Sequence, residues 1–249
     1  GRVYLAPRLL RPRDLRDELT TLIALYEASL GRRRADFPED RPAEVIGDFR
    51  LARSLTICLT DWYSWQGGVW PGAASEAEYL EIGMTRACDP EQVREVLDSA
   101  LPAGLDIVDV VVAAPGTFAD RLEASQWEIA LPGVSLQHAE AVTRAFLAAD
   151  EVPIERLMKR GPRTIDCRAA VVALSARLDA SNAQPCAILA VVVRHVTPSV
   201  RPDDVLAGLR FSGGLELEQT PIATRLAQGP LDSETGTVGD PLVFDRDAS

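Results

Sequence analysis

Along this chain of 249 residues, apolar positions switch repeatedly between a spacing of two and a spacing of three to four. That switching predicts strands and helices in succession. Residues 2–6 alternate briefly and predict a first strand, which Pro7 and Pro12 end. Residues 13–30 place Leu15, Leu19, Leu22, Ile23, Tyr26 and Leu30 on one helical face, and Gly31 is placed to end that helix. A second helix is expected over 43–65, with Leu51, Leu55, Cys58, Leu59 and Trp62 as its apolar stripe. The two helices should pack as an antiparallel hairpin. Residues 78–84 alternate as a half-buried strand. Asp89 and Pro90 then form a helix start, with Val93, Val96, Leu97 and Ala100 as the buried face. The turn at 101–104 leads into the longest apolar run, 105–114. Strand, helix and strand in this order make half of a ferredoxin-like fold.

The second half of the chain repeats the alternation. A strand at 127–131 turns at Pro132-Gly133. Ser135 can cap a helix to about 149 that buries Ala139, Val142, Phe146 and Leu147. A strand is expected at 153–158. Residues 171–178 and 187–196, joined through Asn182-Ala183-Gln184, carry a hairpin signal. A short helix over 201–209 and a last strand over 215–226 complete a ferredoxin-like α/β sandwich with one extra strand. The predicted class is therefore α+β, and the predicted order is a helical segment at 1–66, a strand–helix–strand unit at 67–124 and a ferredoxin-like domain at 125–228. The tail, 229–249, holds Gly, Pro, Ser, Thr and Asp with little periodicity and reads as disordered.

Charge narrows the partners. The net charge is −11 and the pI about 4.7, so the surface as a whole repels phosphate backbones and anionic membranes. Only a local basic patch can overrule that. The densest is Lys159, Arg160, Arg163 and Arg168 around a Gly161-Pro162 step, which reads as an exposed loop fit for an RNA or phosphate contact. The competing reading is a solvated loop in which Asp166 pairs with Arg163 or Arg168. Arg32-Arg33-Arg34 follows the end of the first helix, where positive charge is favoured without any ligand. Trp62, Tyr63, Trp65 and Trp70 form an aromatic cluster that reads as core or domain contact.

Cys58, Cys88, Cys167 and Cys186 are scattered, with no C-x-x-C pair, and read as small, reduced, buried hydrophobes. His138 and His195 stand apart from one another and from carboxylates or cysteines at ligand spacing, so no metal site is expected. Asp203 and Asp204 read as caps of a helix start. No signal peptide or apolar run of membrane length occurs, which points to the cytoplasm.

Two stretches resemble known families. Gly72-Ala73-Ala74-Ser75-Glu76-Ala77-Glu78-Tyr79-Leu80-Glu81-Ile82 is similar to a hallmark of the radical-SAM-linked protein family, bacterial proteins of unknown function encoded beside or fused to a radical SAM enzyme. Leu101-Pro102-Ala103-Gly104-Leu105, Asp150-Glu151-Val152-Pro153-Ile154-Glu155-Arg156 and Asp166-Cys167-Arg168 continue the likeness in order, over about 71–229. In that family another strand–helix–strand unit precedes these words. Its absence here implies an incomplete first ferredoxin-like unit whose strands lack neighbours, and hence an aggregation risk. Pro7-Arg8-Leu9-Leu10, residues 25–34 and Gly47-Asp48-Phe49-Arg50-Leu51 resemble the opening of archaeal-type nucleases that partner a repair helicase. Nothing here corresponds to that family's later nuclease domain, so no catalytic residue is carried over.

The first resemblance implies a non-catalytic accessory domain that binds or presents the substrate of a radical SAM enzyme, an RNA being one such substrate. The chain itself would bind no cofactor; the iron–sulfur cluster and S-adenosylmethionine would belong to the partner enzyme. The alternatives are a nuclease-related fragment and a non-functional fusion product.

Overall fold

The computed structural model describes residues 2–9, 74–77, 79–83, 89–100, 105–158, 161–179 and 186–247. The helices expected at 13–30 and 43–65, the arginines at 32–34, the aromatic cluster at 62–70, the loop at 182–184, and Lys159 and Arg160 all lie outside the described residues. The class is α+β, with antiparallel strand pairing throughout the described sheets. Contacts divide the chain into two units, 1–119 with 241–249, and 120–240.

In the first unit, strand β1 (Arg2–Leu9) is central. Along one edge it pairs with β2 (Ala74–Ser75) and β3 (Leu80–Gly83), and along the other with β4 (Leu105–Val112). Since β3 and β4 both run antiparallel to β1, they are parallel to each other. Helix α1 (Pro90–Ala100) connects them, which makes a split β-α-β unit. Asp89 caps α1 as its type predicts, accepting from Glu91 N–H at 3.1 Å. The expectation of strands stripped of their neighbours is thereby corrected: the opening strand supplies the partner for both. Pro7, which cannot donate to the ladder, sits at a register shift between Ala6 and Pro7. Tyr4 is fully buried against Phe118, with ring centroids 4.5 Å apart, and Tyr79 meets Phe118 at 5.3 Å.

The second unit starts with β5 (Ala124–Leu131) and α2 (Leu136–Ala148). A ribbon follows, β6 (Pro153–Met158) and β7 (Gly161–Asp166), and then one helical turn, α3 (Cys167–Ala170). Strands β8 (Val171–Asp179) and β9 (Cys186–Arg194), helix α4 (Pro202–Gly213) and strand β10 (Ile222–Gly229) complete the sheet. The strands lie in the order β10-β5-β9-β8, so α2 and α4 each close a split β-α-β unit over one sheet. Trp127, Ile129 and Leu131 of β5, Ala187, Leu189, Val191 and Val193 of β9, and Ala223 of β10 share one face and are buried. Phe146 and Val142 of α2 and Leu209 of α4 are buried with them. Among the α2 residues expected inward, Ala139, Val142 and Phe146 are buried; Thr143 is buried as well, whereas Leu147 is half-exposed.

Two expectations are overturned here. The strand at 153–158 is not an extra strand of the main sheet; it pairs with residues 161–166, which form a second strand rather than a loop. The tail is not disordered. It forms β11 (Leu231–Asp232), β12 (Thr237–Val238) and a terminal turn of helix, α5 (Val243–Arg246). Asp232 nucleates the β11–β12 turn by accepting from the amides of Glu234 and Thr235; the Thr235 side chain first, and then these two amides, hold its carboxyl below the usual range.

Candidate nucleic-acid interface

The basic stretch is carried by the β6–β7 ribbon. In a strand, successive side chains point to opposite faces, and residues opposite one another across the ladder share a face. Ile154 and Ile165 are such partners and both are buried, so their face is the one turned toward the body of the unit. Arg156 and Arg163 are also partners on that face, one step further out. Two cations side by side would repel. The conflict is resolved because Arg156 is drawn inward: its Nη1 donates to Asp204 Oδ2 at 2.6 Å and to the Ser199 carbonyl at 2.8 Å. Asp204 Oδ2 also accepts from Arg201 N–H at 2.9 Å, as the cap of α4. Arg163 stays exposed and makes no ion pair among the described residues.

The base of the ribbon is pinned as well. Asp166 Oδ1 accepts from Val152 N–H at 2.9 Å and from Arg168 N–H at 3.0 Å, and Cys167 N–H donates to the Val152 carbonyl. The ion pair expected between Asp166 and Arg163 or Arg168 is therefore replaced by a helix cap. Arg168 bends back, its Nη1 donating to the Val171 carbonyl at 3.1 Å, and its Nε is buried with no partner among the described residues. Of the four basic residues singled out in the sequence, Arg163 faces solvent, Arg168 is tied to its own helical turn, and Lys159 and Arg160 lie outside the described residues. Gly161, at φ +106°, takes an angle that suits glycine where the chain enters β7. The opposite face of the ribbon holds Leu157, 83% exposed, across from exposed Pro162.

A second polar constellation lies on the covered face of the main sheet. Ser125 Oγ is 2.6 Å from His195 Nε2, and His195 Nδ1 is 2.7 Å from the Leu122 carbonyl. The carbonyl can only accept, so Nδ1 carries a proton; in the neutral ring Nε2 then accepts from the serine hydroxyl. Gln228, opposite Ser125 on β10, is fully buried, and Arg225, opposite Trp127, lies over the indole at 4.7 Å. Spacing gives no hint of this set, because Ser125 and His195 are 70 positions apart and meet only through the β5–β9 register. Ser125 is 2% exposed, so the pair satisfies buried polar atoms rather than presenting a hydroxyl to a substrate. Cys167 is buried among Asp204 and Asp166. Desolvation first, then those two carboxylates, push its thiol up to about 12. It is inert as a nucleophile at neutral pH. Among the described residues no group of three or more His, Cys, Asp and Glu side chains is placed to hold a metal ion, and no helix is long and apolar enough to cross a membrane.

Comparison with known proteins adds a family and little else. No curated protein matches the chain. Among solved structures, DyPB from Rhodococcus jostii RHA1 aligns over 96% of this chain and 95% of its own at 11% identity, with a TM-score of 0.22, too low to argue a shared fold. The model of the family described as "Uncharacterized protein conserved in bacteria (DUF2344)" matches residues 64–202, more than half of the chain. The chain belongs to that family.

Proposed function

We propose that this member of an uncharacterized bacterial family is a non-catalytic accessory protein that binds an RNA substrate and presents it to a radical SAM enzyme, with the β6–β7 ribbon as the contact. The observation that carries the reading is the ribbon itself. It leaves the main sheet, its base is fixed by Asp166 and by the Arg156–Asp204 pair, and Arg163 is held on it in solvent. A cation on a pre-ordered arm loses little side-chain and loop entropy on binding. Lys159 and Arg160, which join the two strands in sequence, add two further charges to an otherwise acidic chain. The resemblance to radical-SAM-linked proteins supplies the partner, which would carry the iron–sulfur cluster and S-adenosylmethionine.

The nuclease-related alternative rests mostly on residues 10–51, which lie outside the described residues. The motive for a defective fusion product is a set of unpaired strands, and β1 pairs with both of them.

The test is RNA binding by fluorescence anisotropy as salt is raised. Neutralising three phosphates of a single strand gives a log–log salt slope of about −2. Lys159→Ala, Arg160→Ala and Arg163→Ala combined should abolish most of that slope and weaken binding at least tenfold, at about 50 mM salt. Absence of binding to any RNA, together with failure to co-elute with a radical SAM enzyme from the same genome, defeats the proposal.

A further inference from the structure

The two faces of the ribbon differ in chemistry, and that difference bears on the kind of RNA. This step rests on the RNA-binding reading above. Leu157 and Pro162 are ladder partners on the outward face, and both are exposed. Partners of this kind hold their Cβ atoms about 4.5–5.5 Å apart, which makes a flat apolar platform the width of one base. Proline has no N–H to give the ladder, so this register fits a non-hydrogen-bonded pair, where side chains come closest. The next residue, Arg163, projects from the other face of the same strand. An apolar platform and a cation therefore sit on neighbouring residues but on opposite sides of a thin ribbon.

A second protein is a poor fit for so small a platform, since stable protein–protein contacts bury roughly 800 Å² per partner. A polyanion is favoured by charge complementarity with Arg163, which has no ion-pair partner among the described residues. In a duplex the flat faces of bases are stacked on their neighbours and closed to an apolar side chain; in a single strand they are open. We infer that the RNA held by this ribbon is unpaired at the contact, with one base lying on Leu157 and Pro162 and an adjoining phosphate reaching round the edge to Arg163.

The experiment compares one RNA sequence as a single strand and as a blunt duplex, titrated against the full chain and two exposed-site variants checked for native circular dichroism. The single strand should bind at least fivefold tighter than the duplex. Leu157→Ser should weaken the single strand about fivefold with its salt slope unchanged, and should leave the duplex unaffected. Arg163→Ala should instead flatten the slope for the single strand by about 0.7. Equal affinity for the two RNAs, with Leu157→Ser silent, overturns this inference while leaving the accessory RNA-binding reading intact. If Leu157→Ser weakens co-elution with the radical SAM enzyme but not RNA binding, the platform is a protein contact and the inference again fails. Absence of binding to either RNA removes both.

Discussion

Arg156 shows how one side chain decides whether the ribbon is an arm or a flap. Its pair with Asp204 is largely withdrawn from water, the two side chains being 13% and 7% exposed. Removing one member of such a pair leaves the other charge buried without compensation, at a cost of about 3–5 kcal/mol. Arg156→Ala should therefore lower the urea midpoint of the second unit substantially. Replacing both residues by apolar ones, Arg156→Met with Asp204→Leu, should recover part of the loss. A single variant as stable as the wild type would mean that Asp204 is held by Arg201 N–H and solvent alone. Cys167 offers a second prediction at this scale. Its thiol keeps its proton in the folded state up to about 12, against an ordinary value of 9.0. Between those two values the folded chain binds more protons than the unfolded one, so stability falls as pH rises through that window, by at most about 1.4 kcal/mol per pH unit. Cys167→Ser should remove that portion of the alkaline loss in thermal melts between about pH 9 and 11. Single residues are unevenly legible in the sequence. Asp89 and Ser135 announce themselves as caps because their partners lie two or three residues away. Ser125–His195 and Arg156–Asp204 do not, because they need strand register and helix docking before they exist.

Elements are legible where periodicity alone defines them and illegible where pairing does. Helices α1 and α2 start where their capping residues stand; α4 starts at Pro202, before Asp203 and Asp204, with Asp204 reaching back to Arg201 N–H from inside the first turn; and β8 and β9 fall within one or two residues of the alternating runs. The ribbon escapes a sequence reading because Lys159-Arg160-Gly161-Pro162-Arg163 carries loop chemistry in its composition, while its second half is held in a strand by pairing with 153–158. Gly213 has a second role that periodicity does not show. The pair Gly213-Gly214 reads as a chain break, and the break falls at Gly214, at φ +70°, while Gly213 is the last residue of α4. What Gly213 provides is room. A Cβ there would lie 2.7 Å from Val142 Cα, a backbone atom of α2 that cannot swing aside. Gly208, earlier on the same helix, is packed against side chains instead: a Cβ there would lie 2.9 Å from Phe146 Cε2 and 3.1 Å from Val152 Cγ1. The two helices thus approach along a glycine seam. Gly213→Ala should destabilise by about 1–3 kcal/mol through overpacking, despite alanine's better helix propensity. An increase in stability, measured by chemical denaturation, would show that α2 can shift outward without loss.

At the scale of the whole molecule, the first unit is assembled from both ends of the described chain, with residues 120–240 forming a unit of their own between them in sequence. The tail looks dispensable in sequence because turn residues dominate it. The signal against disorder is the short apolar run Leu242-Val243-Phe244, of which Leu242 is fully buried. Asp245, also buried, accepts from Ala114 N–H at 2.8 Å, just beyond the end of β4, and Arg246 Nε donates to Asp109 Oδ2 within β4 at 2.7 Å. Together these contacts tie the last helical turn to the strand that closes the first unit. Burying one leucine contributes about 1.5–3 kcal/mol, and the part-buried bond from Ala114 N–H to the Asp245 carboxylate adds about 1 more. Deleting residues 241–249 should therefore lower the stability of the first unit by several kcal/mol and leave the second unit's own core untouched. Hydrogen exchange resolves the two: amides of β4 should lose protection in the truncated chain, while those of β5 and β9 keep theirs. Equal loss in both would mean that the units do not unfold separately, and unchanged protection in β4 would mean that the tail adds nothing to the fold it rests on.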